Sequence, residues 1–183
     1  KIAQAQDQLG RAQMNLRMAQ STDPQRSLPT IVYDSDMVLF VGWVEVHLYH
    51  FGRAHTDGDT LAYFKTSNVV HWGDTFSNRW IPAMDASGNS FDWVDWLDKG
   101  VAVSPTATMV PGHGAIGKQA DVQKLRTFLT TLQTALPQEI AAGKTREQAK
   151  DGVRHAEYVN YPGGAARLRT NVRIIYDQLK ARP

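Results

Sequence analysis

The first polar loop of interest is His50-Phe51-Gly52-Arg53-Ala54-His55-Thr56-Asp57-Gly58-Asp59-Thr60. Residues 44–50 before it alternate apolar with polar or aromatic side chains, the pattern of a half-buried strand. Loops that follow strands on a rigid scaffold often carry catalytic or binding residues. Glycine allows the tight turns that direct such side chains inward. His55 is therefore a candidate functional residue at a sheet edge.

Two later loops share this arrangement of an apolar run, a glycine and a metal-capable side chain. They read His71-Trp72-Gly73-Asp74-Thr75-Phe76 and Val110-Pro111-Gly112-His113-Gly114. The chain contains no cysteine, so imidazole and carboxylate groups are the remaining common zinc ligands. Taken singly, each stretch is also compatible with an ordinary turn. Together they predict that His55, Asp74 and His113 converge at one edge of a sheet.

The order and spacing of these loops resemble the metallo-β-lactamase superfamily. Asp74 follows His55 by 19 residues, and His113 follows Asp74 by 39 residues. The resemblance covers residues 28–132, and the stretch 50–60 is similar to a bacterial branch of β-lactamase-like hydrolases. It implies an α+β fold, the C-terminal part of an αββα sandwich in which two sheets pack face to face with helices outside.

The resemblance also implies roles for individual residues. His55 would complete a three-histidine site, Asp74 would bridge two zinc ions, and His113 would belong to the second site. Asp74 and Asp57 are the catalytic candidates. Asp57 and Asp59 would orient the loop or a ligand, and Asp59 is the better candidate for bonding backbone amides of its loop.

The most diagnostic motif of the superfamily, His-x-His-x-Asp-His, is missing, since no histidine precedes His47. The chain would then be a fragment of a longer enzyme, one piece of a protein made of two chains, or a remnant without activity. We favour a fragment, because Lys1 falls within a predicted helix and the three later motifs are intact. With three ligands left, zinc occupancy would be partial or absent.

The other histidines and the large apolar side chains have simpler interpretations. His47 and His50 lie three apart on a strand and point to opposite faces, so they cannot chelate one metal there. The other residues expected to have structural roles are His71, His155, Trp93 and Trp96. The two expected to line a pocket are Trp80 and Met84.

The 183 residues, 42% hydrophobic and 21% charged with a net charge of +2, are typical of one globular domain. We predict one N-terminally incomplete domain over 1–183, with a helical extension over 145–183. Predicted helices cover 2–20, 90–97, 118–135, 145–157 and 165–180. Predicted strands cover 30–33, 37–40, 44–50, 60–64, 69–72 and 106–110. No nucleic-acid or membrane partner is expected.

The function implied is a metal-dependent hydrolase that uses metal-activated water to cleave an ester, thioester, lactone or lactam bond of a small molecule. The alternative is an inactive fragment or remnant that acts as a binding or assembly domain. A half-sandwich leaves one sheet face uncovered, so we expect self-association or attachment to a missing N-terminal segment. A periplasmic or secreted location is slightly preferred over the cytoplasm.

Overall fold

The computed structural model describes residues 2–21, 23, 28–85, 87–153, 160–162 and 164–182. The chain divides into two compact units, 1–33 and 34–183. The first unit contains helix α1, Ile2–Ser21, rich in the helix-forming residues Ala, Gln, Arg and Met, as predicted. The strand predicted over 30–33 is wrong, because these residues are irregular and pair with no strand. β-branched side chains favour a strand only where a neighbouring strand supplies the ladder.

The second unit contains a five-stranded sheet and a two-stranded sheet. In chain order the strands are β1 Asp36–Val41, β2 Val44–Tyr49, β3 Leu61–Phe64, β4 Val69–His71, β5 Ser77–Asn78, β6 Thr108–Val110 and β7 His113–Gly114. The large sheet has the order β1-β2-β3-β4-β6, and β5 pairs with β7. Five of the six predicted strands are therefore confirmed, with ends that differ by one or two residues.

Strand directions in the large sheet determine which loops share an edge. The pairs β1–β2, β2–β3 and β3–β4 are antiparallel, and β4–β6 is parallel. Strands β2, β4 and β6 therefore run in the same direction, and their C-terminal ends lie at one edge. The three candidate loops, which carry His55, Asp74 and His113, all begin at that edge.

Four helices accompany the sheet: α2 Ser90–Val103, α3 Gln119–Ala141, α4 Arg146–Gly152 and α5 Gly164–Ala181. Asn89 caps α2, since its side chain accepts hydrogen bonds from the first amides of the helix. Thr145 and Gln148 form the capping box predicted at the start of α4. Residues 154–157 of the predicted fourth helix, which include His155, lie outside the described residues.

The hydrophobic core lies against one face of the large sheet. Leu61, Val70 and Met109 from this face are buried in one cluster with the inner faces of α2, α3 and α5. The strand register places ten apolar side chains on the other face, which we call the second face. They are Met37, Leu39, Val41, Val44, Val46, Leu48, Ala62, Phe64, Val69 and Val110.

None of these ten side chains belongs to the core cluster or to the partly buried residues packed against it. Val41 is 65% exposed and Val44 is 42% exposed, whereas Val46 is only 7% exposed. The sheet thus carries apolar side chains on both faces but has its helical core on one, as expected for half of a sandwich.

Among the described residues, no helix is both long and apolar enough to cross a bilayer. The prediction of one incomplete domain with a helical extension over 145–183 stays a prediction.

Candidate metal centre

Backbone hydrogen bonds join the Asp74 loop to the His113 loop. The Trp72 amide donates to the Val110 carbonyl at 2.9 Å, which continues the β4–β6 ladder beyond the ends of the strands. The Gly112 amide then lies 2.7 Å from the Gly73 carbonyl oxygen and 3.1 Å from that of Phe76. β5 and β7 pair directly afterwards. Two loops separated by 39 residues in the sequence are therefore held side by side.

This arrangement brings Asp74 and His113 together. The Asp74 Oδ1 and His113 Nε2 atoms lie 3.3 Å apart, and both side chains are 45% exposed. A Cβ atom at Gly112 would collide with Asp74 Oδ1 and would lie 2.6 Å from the Gly73 carbonyl oxygen. Only glycine at position 112 lets the Asp74 carboxylate approach this closely. Gly112, in the His113 loop, therefore leaves the room that Asp74 in the neighbouring loop needs.

A short 3₁₀ turn, Gly73–Thr75, carries Asp74 and is fixed by buried groups on either side. The Thr75 hydroxyl donates to the Trp72 carbonyl oxygen at 2.6 Å. The indole of Trp93 donates to the Thr75 carbonyl oxygen at 2.9 Å. Because Trp72 and Trp93 are fully buried, the turn is anchored to the core while Asp74 faces outward.

The His55 loop is stabilised by the carboxylate of Asp59. Asp59 accepts hydrogen bonds from the Thr56 amide at 2.8 Å and from the Thr56 hydroxyl at 3.0 Å. The expected amide contact of Asp59 is therefore present, at Thr56. Gly88 lies close beneath this loop, since a Cβ there would collide with the His55 carbonyl oxygen. Asn89 N–H donates to the Ala54 carbonyl oxygen at 3.0 Å.

His55 lies at the predicted sheet edge but is turned towards the core. Its side chain is 16% exposed, with Nδ1 3.9 Å from Asp59 Oδ1. Its ring packs against that of Trp93 at an interplanar angle of 76°, with 5.9 Å between the centroids. Within the described ranges, no group of three or more His, Cys, Asp or Glu side chains lies close enough to hold one metal ion. The structure thus assembles the Asp74–His113 pair without His55.

Asp57 is exposed, and its carboxylate has no hydrogen bond or ion pair among the described residues. It does not contact Asp74 or His113. The assignment of Asp57 and Asp74 as catalytic residues, and of His55, Asp74 and His113 as ligands, stays a prediction.

One carboxylate beside the His55 loop has a shifted pKa. The amide and hydroxyl of Ser87 donate to Asp85 and lower the pKa of its carboxyl group, and the charge of His55 adds a smaller effect. The Asp85 amide donates to the His55 carbonyl oxygen at 3.2 Å. The His55 loop thus borders an anionic side chain that no motif indicated.

The other described histidines have local structural contacts, and the Gly73 amide donates to His71 Nδ1 at 3.3 Å. His47 bonds Glu45 at 2.7 Å, and Nδ1 of His50 lies 2.8 Å from the Asp59 carbonyl oxygen. His71 is exposed at the end of β4.

The tryptophans differ in their relation to the pair. Trp93 and Trp96 are buried in the core, as predicted, and so is Met84, which was expected to line a pocket. Trp80 stacks on His113 with 5.7 Å between ring centroids and 21° between the planes. Trp80 therefore lies beside the candidate metal centre.

Two residues near the pair were missed by sequence reasoning. Asn78 donates through its side-chain amide to the Ala115 carbonyl oxygen at 2.9 Å and ties the two loops together. Arg167 lies over the Trp80 ring, 5.5 Å from its centroid. A lone asparagine in a mixed polar and apolar stretch and one arginine among several on an amphipathic helix carry no distinguishing sequence signal.

Similar solved structures have the metallo-β-lactamase fold. The metallo-beta-lactamase from Pontibacter korlensis is 19% identical with a TM-score of 0.52, and the match covers 57% of this chain and 50% of that one. The stereoselective inverting sec-alkylsulfatase Pisa1 from Pseudomonas sp. is 16% identical with a TM-score of 0.64, over 82% of this chain and 26% of that one. The metallo-beta-lactamase DIM-1 is 18% identical with a TM-score of 0.50, over 59% and 51%.

No protein-family model matches the sequence, and no curated protein matches it. The structural likeness shows the fold: the chain has a partial metallo-β-lactamase fold of the α+β class, which confirms the sequence-based prediction. The chain spans about half the length of the β-lactamase structures that it matches and about a quarter of the alkylsulfatase.

Proposed function

We propose that this chain contributes part of the metal site of a metal-dependent hydrolase, with Asp74 and His113 as zinc ligands. The observation that carries the proposal is the 3.3 Å approach of Asp74 Oδ1 to His113 Nε2 at the edge where β4 and β6 end. In the intact protein the reaction would be hydrolysis of an ester, thioester, lactone or lactam bond of a small molecule.

The two side chains fit a shared zinc ion. Zinc binds imidazole nitrogen and carboxylate oxygen at roughly 2.0–2.2 Å in tetrahedral geometry, so neighbouring ligand atoms lie about 3.3–3.6 Å apart. The Asp74–His113 separation of 3.3 Å falls in that range. Because Gly112 has no Cβ, the Asp74 carboxylate has room to occupy this position.

Each residue has a defined task in this proposal. Asp74 and His113 hold zinc, and His55, at the same sheet edge, is the candidate third ligand. Bound zinc would supply an activated water as the nucleophile. Asp59 orders the His55 loop through Thr56. Asp57, which is exposed within that loop, is a candidate for substrate or water contact.

Zinc titration of the full 183-residue chain by calorimetry tests the proposal. We expect weak binding by the wild type, reduced about tenfold or more by Asp74→Asn or His113→Gln, since each removes one ligand. His47→Gln is the matched control, because His47 contacts Glu45 instead of the pair, and its affinity should remain within twofold. Equal affinity in all four proteins would contradict the ligand assignment. Two tightly held zinc ions per isolated chain would contradict the expected weak, partial occupancy.

The second candidate function is assembly, and the second face favours it. Its ten apolar side chains lie outside the helical core cluster, and all of them except Val46 are at least partly exposed. Apolar area buried by a partner stabilises a complex by roughly 25 cal/mol per Å². We propose that a second sheet covers this face, supplied by an N-terminal segment of the same protein or by another copy of the chain. This proposal does not require activity.

Sedimentation equilibrium distinguishes the two candidates. We expect the isolated chain to self-associate, and we expect Val41→Lys and Val44→Lys together to shift it towards monomer, because charges on an apolar interface are costly. Val38→Lys is a control on the same hairpin, since the register places Val38 on the opposite face. A monomeric wild type with a cooperative melt would refute assembly through the second face and leave the zinc proposal intact.

A further inference from the structure

The ring of His113 is held by a side-chain contact that the backbone pairing of its loop does not explain. Its indole partner, Trp80, follows β5 by two residues, and β5 pairs with β7, which begins at His113. The rings are 5.7 Å apart and nearly parallel, at 21°. Offset stacking at this distance is an attractive geometry for aromatic pairs.

The chain conformation that places Trp80 is itself constrained. Arg79 adopts φ of +53°, a left-handed conformation that costs a non-glycine residue roughly 1–2 kcal/mol. Such conformations persist where the surrounding structure determines them, and they concentrate at functional sites. The turn between β5 and Trp80 is therefore held in place by its surroundings.

Helix α5 supplies those surroundings. Arg167 lies over the Trp80 ring, with its guanidinium carbon 5.5 Å from the ring centroid, and donates to the Ile81 carbonyl oxygen at 3.2 Å. Buried Asn171, one turn later, donates to the Pro82 carbonyl oxygen at 3.0 Å. Three contacts from one helix thus fix the segment that carries Trp80.

No hydrogen bond determines the orientation of the indole. Trp80 Nε1 is buried and has no acceptor among the described residues. The indole ring stacks on His113 on one side and lies under the guanidinium of Arg167.

We infer that Trp80 is a positioning residue for His113, and that Arg167 holds Trp80 in place. The inference rests on the proposed function, in which Nε2 of His113 faces Asp74. Partners that orient a ligating histidine typically change metal affinity by about 10–100-fold when they are removed. In this chain the orienting group is an aromatic face and a cation above it.

The test uses two readouts on the full chain. In the metal-free protein, proton NMR should show His113 ring resonances shifted upfield by the indole ring current. Trp80→Leu should abolish that shift and weaken zinc binding about tenfold. Trp80→Phe should retain most of the upfield shift and most of the zinc affinity, because phenylalanine preserves a stacking ring. Trp43→Leu is the matched control, since Trp43 is fully exposed at the β1–β2 turn.

A second pair of variants tests the arginine. Arg167→Met should broaden or move the His113 resonances and weaken zinc binding less than Trp80→Leu does. Arg169→Met removes an exposed arginine of the same helix, paired with Asp151. It should leave both the His113 resonances and the zinc affinity unchanged.

The outcomes separate the positioning role of Trp80 from the proposed zinc site. His113 resonances unchanged in Trp80→Leu would refute the stack, and unchanged zinc affinity with a lost stack would refute the positioning role. A wild type that shows the stack but binds no zinc would refute the proposed function and, with it, the role assigned to the stack.

Discussion

Replacing Gly112 by alanine tests whether the two loops of the candidate metal centre are held at contact distance. The added Cβ would lie 2.6 Å from the Gly73 carbonyl oxygen and would collide with Asp74 Oδ1. Ordinary contact for a Cβ begins at 3.4 Å, so the loops must separate by about 0.8 Å at this point. That separation lengthens the two hydrogen bonds in which Gly112 N–H takes part.

The expected loss of stability follows from the lengthened Gly112 hydrogen bonds and the crowded Cβ. Weakening a backbone hydrogen bond costs about 1 kcal/mol, and more if the buried group stays unpaired. Overpacking a tight contact adds about 1–3 kcal/mol. We therefore expect Gly112→Ala to lower the free energy of unfolding by about 2–4 kcal/mol and to weaken zinc binding, because Asp74 and His113 move apart.

Urea denaturation followed by tryptophan fluorescence measures the change, with Gly58→Ala as the matched control. A Cβ at Gly58 meets nothing within 4 Å, and the position does not need a left-handed backbone. That variant should be unchanged or up to about 1 kcal/mol more stable. A Gly112→Ala protein within about 0.5 kcal/mol of wild type, with unchanged zinc affinity, would show that the loops are not in contact as described.

Three further changes test the scaffold. Asn89→Ala removes the side-chain cap of α2 and should cost about 1 kcal/mol in urea denaturation; no loss would mean that the cap is not formed. Leu129→Ala empties a fully buried position and should cost about 2–5 kcal/mol, whereas a loss below about 1 kcal/mol would place Leu129 outside the core. Lys150 and Arg173 hold the pKa of Glu147 at about 2, below its ordinary 4.5, so its stabilising effect is present above pH 4.5 and is lost as the pH falls towards 2. The melting temperature of Glu147→Gln should accordingly approach that of wild type over this interval, and a constant difference would contradict the assignment.

Much of the fold was predictable because local patterns and tertiary packing agree. The apolar spacing of α3 places its buried leucines on one face, and the capping box at Thr145 marks the start of α4. The strand predicted at 30–33 failed for the opposite reason. Its β-branched residues satisfy a local preference, yet no neighbouring strand provides the hydrogen bonds that would stabilise it.

The candidate site was predictable to a different degree for each residue. Asp74 and His113 come together because their loops follow two parallel neighbouring strands; motif order and spacing indicated their convergence at one sheet edge but not the pairing of these strands. His55 follows a strand two positions away, and its ring orientation depends on contacts with Trp93 that no local pattern reports. Arg167 reaches the site from the C-terminal helix, and such long-range contacts leave no periodic signal in one sequence.

Different backbone contacts hold the Asp74–His113 pair and the His55 loop, and this difference bears on how metal would bind. The Gly112 amide, within hydrogen-bond distance of the Gly73 and Phe76 carbonyl oxygens, holds the Asp74 and His113 loops side by side. His55 is held instead through its own loop, with Asp59 on one side and the Gly88 segment beneath. Asp74 and His113 would therefore hold a zinc ion without rearrangement of the backbone. For His55 to act as a third ligand, its ring would have to move away from Trp93.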